Sequence, residues 1–211
     1  MSAHTRKLMG QFVRYPISVV MLAFFMFPIV WIILTAFKTP DEFLQSPPVW
    51  IPQTPNLAYF AEVIRTGGLK ALANTVIIAL SATALALLVG SLAGYSLARF
   101  RTGGDNVPFF ILSQRFMPPV AVIFPFVLFF KTLRWMDTHQ ALILVYLTFN
   151  LPYAVWMMRG FFMEIPREVE ESALVDGCSR LGTFWRIALP LVTPGLVATG
   201  AALLLIGWAV A

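Results

Sequence analysis

The chain has 211 residues, of which 59% are hydrophobic and 12% charged, with a mean hydropathy of +0.79; soluble domains average about 45–50% apolar and about 25% charged, so a large soluble core is excluded and a polytopic membrane protein is indicated. The net charge of +5 does not point to nucleic acid, because the basic residues are scattered at the ends of apolar runs. The single cysteine, Cys178, excludes an internal disulfide and a cysteine metal cluster, and His4 and His139 are too far apart to suggest a paired metal site.

Arg6, Lys7 and Arg14 precede an uncharged run over residues 16–37. That run is about the 20 residues needed to cross a bilayer. It is too long for a signal-peptide core and no A-x-A-type cleavage site follows. It reads as an uncleaved first span with a cytoplasmic N-terminus. Residues 38–70 are polar and proline-rich, and Pro47, Pro48, Pro52 and Pro55 argue against a continuous helix before about Asn56. Residues 56–64 are expected to form a short amphipathic helix on the outer surface, with Trp50 and Tyr59 as interface anchors. The segment is either a simple connection or part of a surface that meets an extracytoplasmic protein.

The second span is expected over 71–98. Ala84, Gly90, Ser91 and Gly94 would let helices approach closely in lipid, and Arg99 and Arg101 stop it on the cytoplasmic side. The third covers 107–130 and carries Arg115 and the kink pair Pro118–Pro119. An intramembrane arginine costs roughly 2.5–3.5 kcal/mol on insertion scales. Arg115 therefore either makes a structural contact, to an acid or to kinked-helix carbonyls, or lines a solute path. A short outer loop, 131–140, leads to the fourth span over 141–158, with a break expected at Asn150-Leu151-Pro152 that either lines a path or packs as a kink. Tyr146 joins Arg115 and Asn150 as a weak candidate for a substrate path. Arg159 ends that span.

Residues 164–194 are the longest polar interruption in the second half of the chain, and a cytoplasmic loop is expected over 159–190. Pro166 suits the first turn of a helix, and Glu168, Glu170 and Glu171 suit its positive end. Gly177 permits backbone angles that a side chain opposes. Ser179 is a cap for a second short helix over 180–189, which Pro190 is expected to end. A fifth apolar run covers 191–211. With this topology the inner segments hold Arg6, Lys7, Arg14, Arg99, Arg101, Arg159, Arg167, Arg180 and Arg186. The outer ones hold Lys38, Arg65, Lys70, Lys131 and Arg134. Nine against five agrees with the positive-inside rule.

Glu170-Glu171-Ser172-Ala173, then Asp176-Gly177, then Phe184, Ile187, Leu189-Pro190 and Pro194 resemble the coupling motif of bacterial ABC importer permeases. Ser172 stands where that family has alanine. The GYSLARF ending of the second span, the Asn74-Thr75 pair, the proline-rich third span and the span order are also similar to sugar-type permeases of the maltose subfamily. The resemblance implies an all-α transmembrane bundle, a permease subunit of an ATP-driven importer for a sugar, oligosaccharide or polyol, and no catalysis or cofactor in this chain. It also implies a bacterial inner-membrane location, cytoplasmic ATPase subunits, a second permease and an extracytoplasmic solute-binding protein as partners, and no nucleic acid. Glu170 or Glu171 would pair with a basic group on the ATPase, while Phe184 and Ile187 pack the second helix against the membrane domain. Family members have six spans and a Trp-Asn pair late in the fifth. Here five runs are visible and Trp208 is followed by Ala209, so a fragment or truncated frame is expected.

Two other classes remain as alternatives. A homo-oligomeric channel or ATP-independent carrier would use the 159–190 loop only as a connector. A membrane enzyme would need an acid–base cluster, a nucleophile with a base or a phosphate loop, and the sequence offers no such grouping.

Overall fold

The computed structural model describes the backbone of residues 3–100, 102–104 and 106–210, and the side chains within 15–100, 102–104, 106–118 and 120–205. The side chains of His4, Arg6, Lys7, Arg14, Arg101, Trp208 and Ala209, on which parts of the reading above rest, lie outside the described residues. All regular structure among the described residues is helical, as the composition requires. The chain divides into two units, Met1–Leu69 and Lys70–Ala211.

The first unit begins with α1, Ala3–Ala36. From Tyr15 to Ala36 it is long and apolar enough to cross a membrane, and none of that stretch is buried within the chain. Phe24 is 72% exposed and Ile32 is 68% exposed. A helix that is apolar all round is suited to lipid.

The proline-rich segment that follows is tied rather than loose. It contains a short helix that the sequence did not suggest, α2, Pro40–Leu44. Glu42 in its first turn accepts from the backbone N–H groups of Thr39, Gln53 and Thr54 at 3.4, 3.0 and 3.1 Å, and from the Thr54 hydroxyl at 3.2 Å. Burial by itself would raise this carboxyl; the backbone donors of Thr54, Gln53 and Thr39 and the Thr54 hydroxyl outweigh it and hold Glu42 below its ordinary value. Trp50 folds back to pack edge-on against Trp31 at 5.3 Å, and Lys38 lies over the other side chain of that pair, its ammonium 4.0 Å from the Trp31 ring. The expected amphipathic helix is α3, Ala58–Arg65, entered through Asn56, whose side-chain oxygen accepts from Ala58 N–H at 2.8 Å.

The second unit is built on α4, Gly68–Phe100, and α7, His139–Glu164, the two remaining single helices that are apolar and long enough to span. They meet through small residues. A Cβ added at Gly90 would lie 2.6 Å from the Ala154 Cβ, and one at Gly94 would lie 2.8 Å from the Arg159 backbone nitrogen. Gly90, Ser91 and Gly94 are buried as expected, but Ala84 is exposed; Ala82 and Ala86 take the packed face instead. The reason is phase: Ala82, Ala86, Gly90 and Gly94 recur every fourth residue and Ala84 falls between them. Helix α11, Thr193–Val210, closes this layer, and Ala86, Ala154 and Leu203 form a small core where the three helices meet.

One expected span is sharply bent, and so is the approach to another. Helix α5, Asn106–Ser113, continues as a 3-10 turn, Gln114–Phe116, and then meets α6, Pro119–Leu133, at 89°. Met117 and Pro118 are both extended at the corner, which is the conformation a following proline imposes. The other bend is 74°, between residues 180–191 and α11. With each bent pair counted as one span, the described residues supply five. By contrast, the break expected at Asn150-Leu151-Pro152 does not occur. Helix α7 is continuous through Pro152 and Arg159 to Glu164. One proline removes a single N–H, and Asn150, Pro152 and Ala154 are buried in the packed layer, so the helix continues past it.

Candidate functional site

The hairpin that follows α7 has two arms and a glycine turn. The first arm is α8, Arg167–Val175, with Pro166 as its N-cap and Glu168 and Glu170 in its first turn. It ends in a Schellman motif: Cys178 N–H donates to Ala173 O at 3.0 Å and Gly177 N–H to Leu174 O at 3.1 Å. Gly177 occupies the left-handed position with φ +89°, and nothing lies within 4 Å of where its Cβ would be. The residue is therefore required by backbone conformation and not by space.

The second arm opens with Ser179, whose hydroxyl oxygen accepts from Gly182 N–H at 3.1 Å. Helix α9, Arg180–Thr183, passes into a π-helical turn, Phe184–Ala188, and then α10, Leu189–Leu191. Pro190 does not end this helix as the sequence suggested. Leu189 N–H donates to Phe184 O, five residues back, and that slip of one residue accommodates the proline ring and its missing donor. The chain turns only at Val192, before Thr193.

What holds the hairpin is a buried polar cluster. Glu170 is 6% exposed. Its Oε1 receives Arg99 Nη2 at 2.5 Å and Arg99 Nε at 2.7 Å, and its Oε2 receives the Tyr95 hydroxyl at 2.7 Å. Arg99 Nη2 also donates to Ile165 O at 3.1 Å. Tyr95 and Arg99 are one turn apart on α4, so a single face of that helix presents both donors. Around them Tyr95 packs on Phe162 and Phe184 with ring centroids 5.3 and 5.0 Å away, and Met158, Ile165, Ala188 and Val192 complete the core. Removing one member of such a pair and leaving the other charge buried typically costs about 3–5 kcal/mol.

This corrects one expectation. Glu170 is not a surface acid available to a partner; its carboxylate is spent inside the chain. Its neighbour Glu171, a residue on along the helix and thus on another face, is exposed, as are Ser172 and Asp176. Phe184 packs inward at 2% exposure, while Ile187 is only half-buried and Ala188 is the fully covered residue beside it. Ala173 is buried, Leu189 is half-buried, and Pro190 is exposed. The outward side of the hairpin is apolar at its tip: Val175 is 86% exposed and Leu181 63%, with Leu174 and Trp185 at 42% and 45%. Tyr95 and Arg99 were missed as site residues. Their signal was the GYSLARF sequence itself, in which an aromatic donor and a guanidinium recur at helical spacing.

The substrate-path candidates all lie on or against α7. Asn150 is buried in α7 and Tyr146 is half-buried one turn earlier. Tyr146 lines a cleft of about 710 Å3 with Lys70, Asn74, Thr75 and His139. Arg115 is exposed on the 3-10 turn; it donates to the Phe149 carbonyl at 3.3 Å and lies over the Tyr153 ring at 5.3 Å. The carbonyl belongs to the helix that carries Pro152.

The sequence profile of binding-protein-dependent transport system inner membrane components matches residues 86–210. A probable ABC transporter permease protein of Sinorhizobium fredii is 35% identical over 189 residues, which are 89% of this chain and 68% of that protein. The sulfoquinovosyl glycerol transport system permease of Agrobacterium fabrum is 32% identical, over 90% of this chain and 68% of that protein. The trehalose/maltose transport system permease of Thermococcus litoralis is 31% identical, over 86% and 66%. Among solved structures, a chain of a bacterial ABC transporter that imports the acidic polysaccharide alginate has the same fold, with a TM-score of 0.74 at 20% identity, over 99% of this chain and 73% of that one.

Proposed function

This chain belongs to the family of binding-protein-dependent transport system inner membrane components, and from that premise we propose that it is the membrane-spanning permease subunit of an ABC importer for a sugar, oligosaccharide or polyol. The observation that carries the reading is the hairpin of α8 and α9. Its inner side is fixed to α4 by Glu170 and Arg99, and its outer side offers exposed Val175 and Leu181 beside Glu171. A rigid element with an apolar tip at the end of a membrane helix is built to be gripped from outside the bilayer. Relatives named for sulfoquinovosyl glycerol and for trehalose/maltose support a carbohydrate cargo.

In this reading the hairpin docks on a separate cytoplasmic ATPase subunit, where ATP is hydrolysed. The residues that serve the coupling are Glu170, Glu171, Ser172, Ala173, Asp176, Gly177, Phe184, Ile187, Leu189 and Pro190. Residues 159–190 lie in the cytoplasm, as does the N-terminus, in accordance with the excess of arginine and lysine in the inner segments. Movement of the docked ATPase is passed through the Glu170–Arg99 pair to α4, and the cavity between this permease and a second one changes its facing. An extracytoplasmic binding protein delivers the solute.

The test is purification of the chain in mild detergent from its native membrane. Stoichiometric recovery of a second permease and an ATPase is expected. A homo-oligomer without ATPase, from cells that express the ATPase, would instead favour a channel or carrier and overturn the proposal.

A further inference from the structure

A cleft of about 470 Å3 opens beside the polar cluster, where the last turns of α4 and α7 meet the start of α8; Arg99, Arg159, Met163, Arg167 and Glu168 are among its lining residues. Three guanidinium groups border it, and they are not equivalent. Arg99 is neutralised by Glu170 and by the Ile165 carbonyl. Arg159 and Arg167 take part in no ion pair among the described residues.

Arg159 is half-buried, and its Nε is closed off from solvent without an acceptor. Its aromatic neighbour is Trp156, with the ring 6.0 Å from the guanidinium carbon. A guanidinium has five donors and no acceptor of its own, so a partly buried one lacking acceptors favours any anion that reaches it. Arg167 opens α8, whose first turn has no side-chain cap, and the unbonded N–H groups there add to the same positive potential. Among the described lining residues the one carboxylate opposing this is Glu168, which is exposed.

The neighbours of the cleft narrow the ligand. Met163 is 55% exposed and Trp156 40% exposed on α7, so apolar surface adjoins the arginines. An anion with an apolar tail satisfies both. Arginine matches phosphate oxygens in a two-point geometry, and basic pockets between membrane helices on the cytoplasmic side suit lipid head groups. We infer that this cleft holds the phosphate of an acidic phospholipid through Arg159 and Arg167. The inference rests on the importer reading only for the leaflet it faces.

The test is native mass spectrometry of the full chain, with whatever subunits accompany it, in discs of phosphatidylcholine alone or doped with phosphatidylglycerol. The wild type is expected to retain phosphatidylglycerol selectively. The R159Q/R167Q pair should bind it roughly 25-fold more weakly, at about fivefold per arginine, and the R159K/R167K pair should recover most of the loss, which separates lost charge from lost fold. Equal retention of phosphatidylglycerol by wild type and R159Q/R167Q would overturn the inference. So would displacement of all lipid by inorganic phosphate at millimolar levels, which would make the site one for a free ion. The readout is bound lipid and not transport, so a failure here and a failure of the importer reading are distinguishable.

Discussion

Glu170 and Arg99 are 71 residues apart in sequence and meet at 2.5 Å in a closed environment, each side chain less than a tenth exposed. Because this pair joins α8 to α4, energetic coupling between the two residues is expected to exceed the 0–1 kcal/mol usual for surface pairs. Arg99→Ala and Glu170→Ala should each destabilise the second unit by about 3–5 kcal/mol, and the double variant should be much less destabilised than their sum. Thermal unfolding of the four proteins in one detergent gives the cycle. Simple additivity would mean that the pair does not hold the hairpin.

The turn at Gly177 makes a graded prediction. A side chain there meets no atom within 4 Å, so the penalty is conformational and should follow tolerance of positive φ. Gly177→Asn should be mild, and Gly177→Ala should lose about 1–2 kcal/mol. Gly177→Asp, which tolerates positive φ much as Asn does, adds a charge beside Asp176 on the exposed turn and is expected to abolish solute-stimulated ATP hydrolysis through that charge while membrane insertion is retained. ATPase assays on the reconstituted complex, with insertion checked by protease protection, would decide it; normal transport by the Asp variant would remove the turn from the coupling path.

The exposed tip should behave differently from the buried root. Val175→Glu and Leu181→Glu place charge on surface that is 86% and 63% exposed, so the isolated chain should be stabilised or destabilised by no more than about 0.5 kcal/mol. Recovery of the ATPase in co-purification should nevertheless fall steeply. Undiminished recovery would move the docking surface elsewhere on the hairpin.

A steric prediction applies to the helix crossing. Gly94→Ala puts a methyl group 2.8 Å from the Arg159 backbone nitrogen, where neither partner is a side chain that can swing away. Overpacking of this kind destabilises by about 1–3 kcal/mol, and Gly94→Leu should prevent accumulation of the folded chain. Expression and melting temperature of the two variants would test this, with Ala84→Leu on the exposed side of the same helix expected to be silent.

The loop after α1 should be sensitive to acid. Glu42 is held below its ordinary value of 4.5 by donors from Thr54, Gln53 and Thr39. A depressed carboxyl contributes stability above its unfolded value, and that contribution is lost as pH falls through the lower folded one. Amide exchange at Gln53 and Thr54 should therefore be protected at neutral pH and released only as pH falls below the ordinary carboxyl value of 4.5. In Glu42→Gln the protection should be weaker and independent of pH in that range.

Much of this architecture was legible in the sequence because it depends on local rules. Apolar length marks α1, α4 and α7, and a glycine flanked by short polar helices marks the hairpin. Ser179 capped the second arm as its spacing indicated. What was not legible depended on distant neighbours. Glu170 read as a surface acid because nothing in its own helix shows that Tyr95 and Arg99 arrive beside it. Pro152 read as a break because whether a proline interrupts a helix depends on the surroundings that pack it. Pro190 read as a stop because the π turn that accommodates it is set by the packing of Phe184 and Ala188.

The contact of α4 with α7 at Gly90 and Gly94 is backbone against backbone, and this has a mechanical consequence. Ordinary helix pairs can slide a little by switching rotamers, because side chains fill the space between them. Here no such cushion exists over that stretch, so α4 and α7 act as one stiff strut. A tug on α8 would then enter the strut through Arg99 and arrive at the level of Ala154 as a rigid displacement, with little of it absorbed on the way.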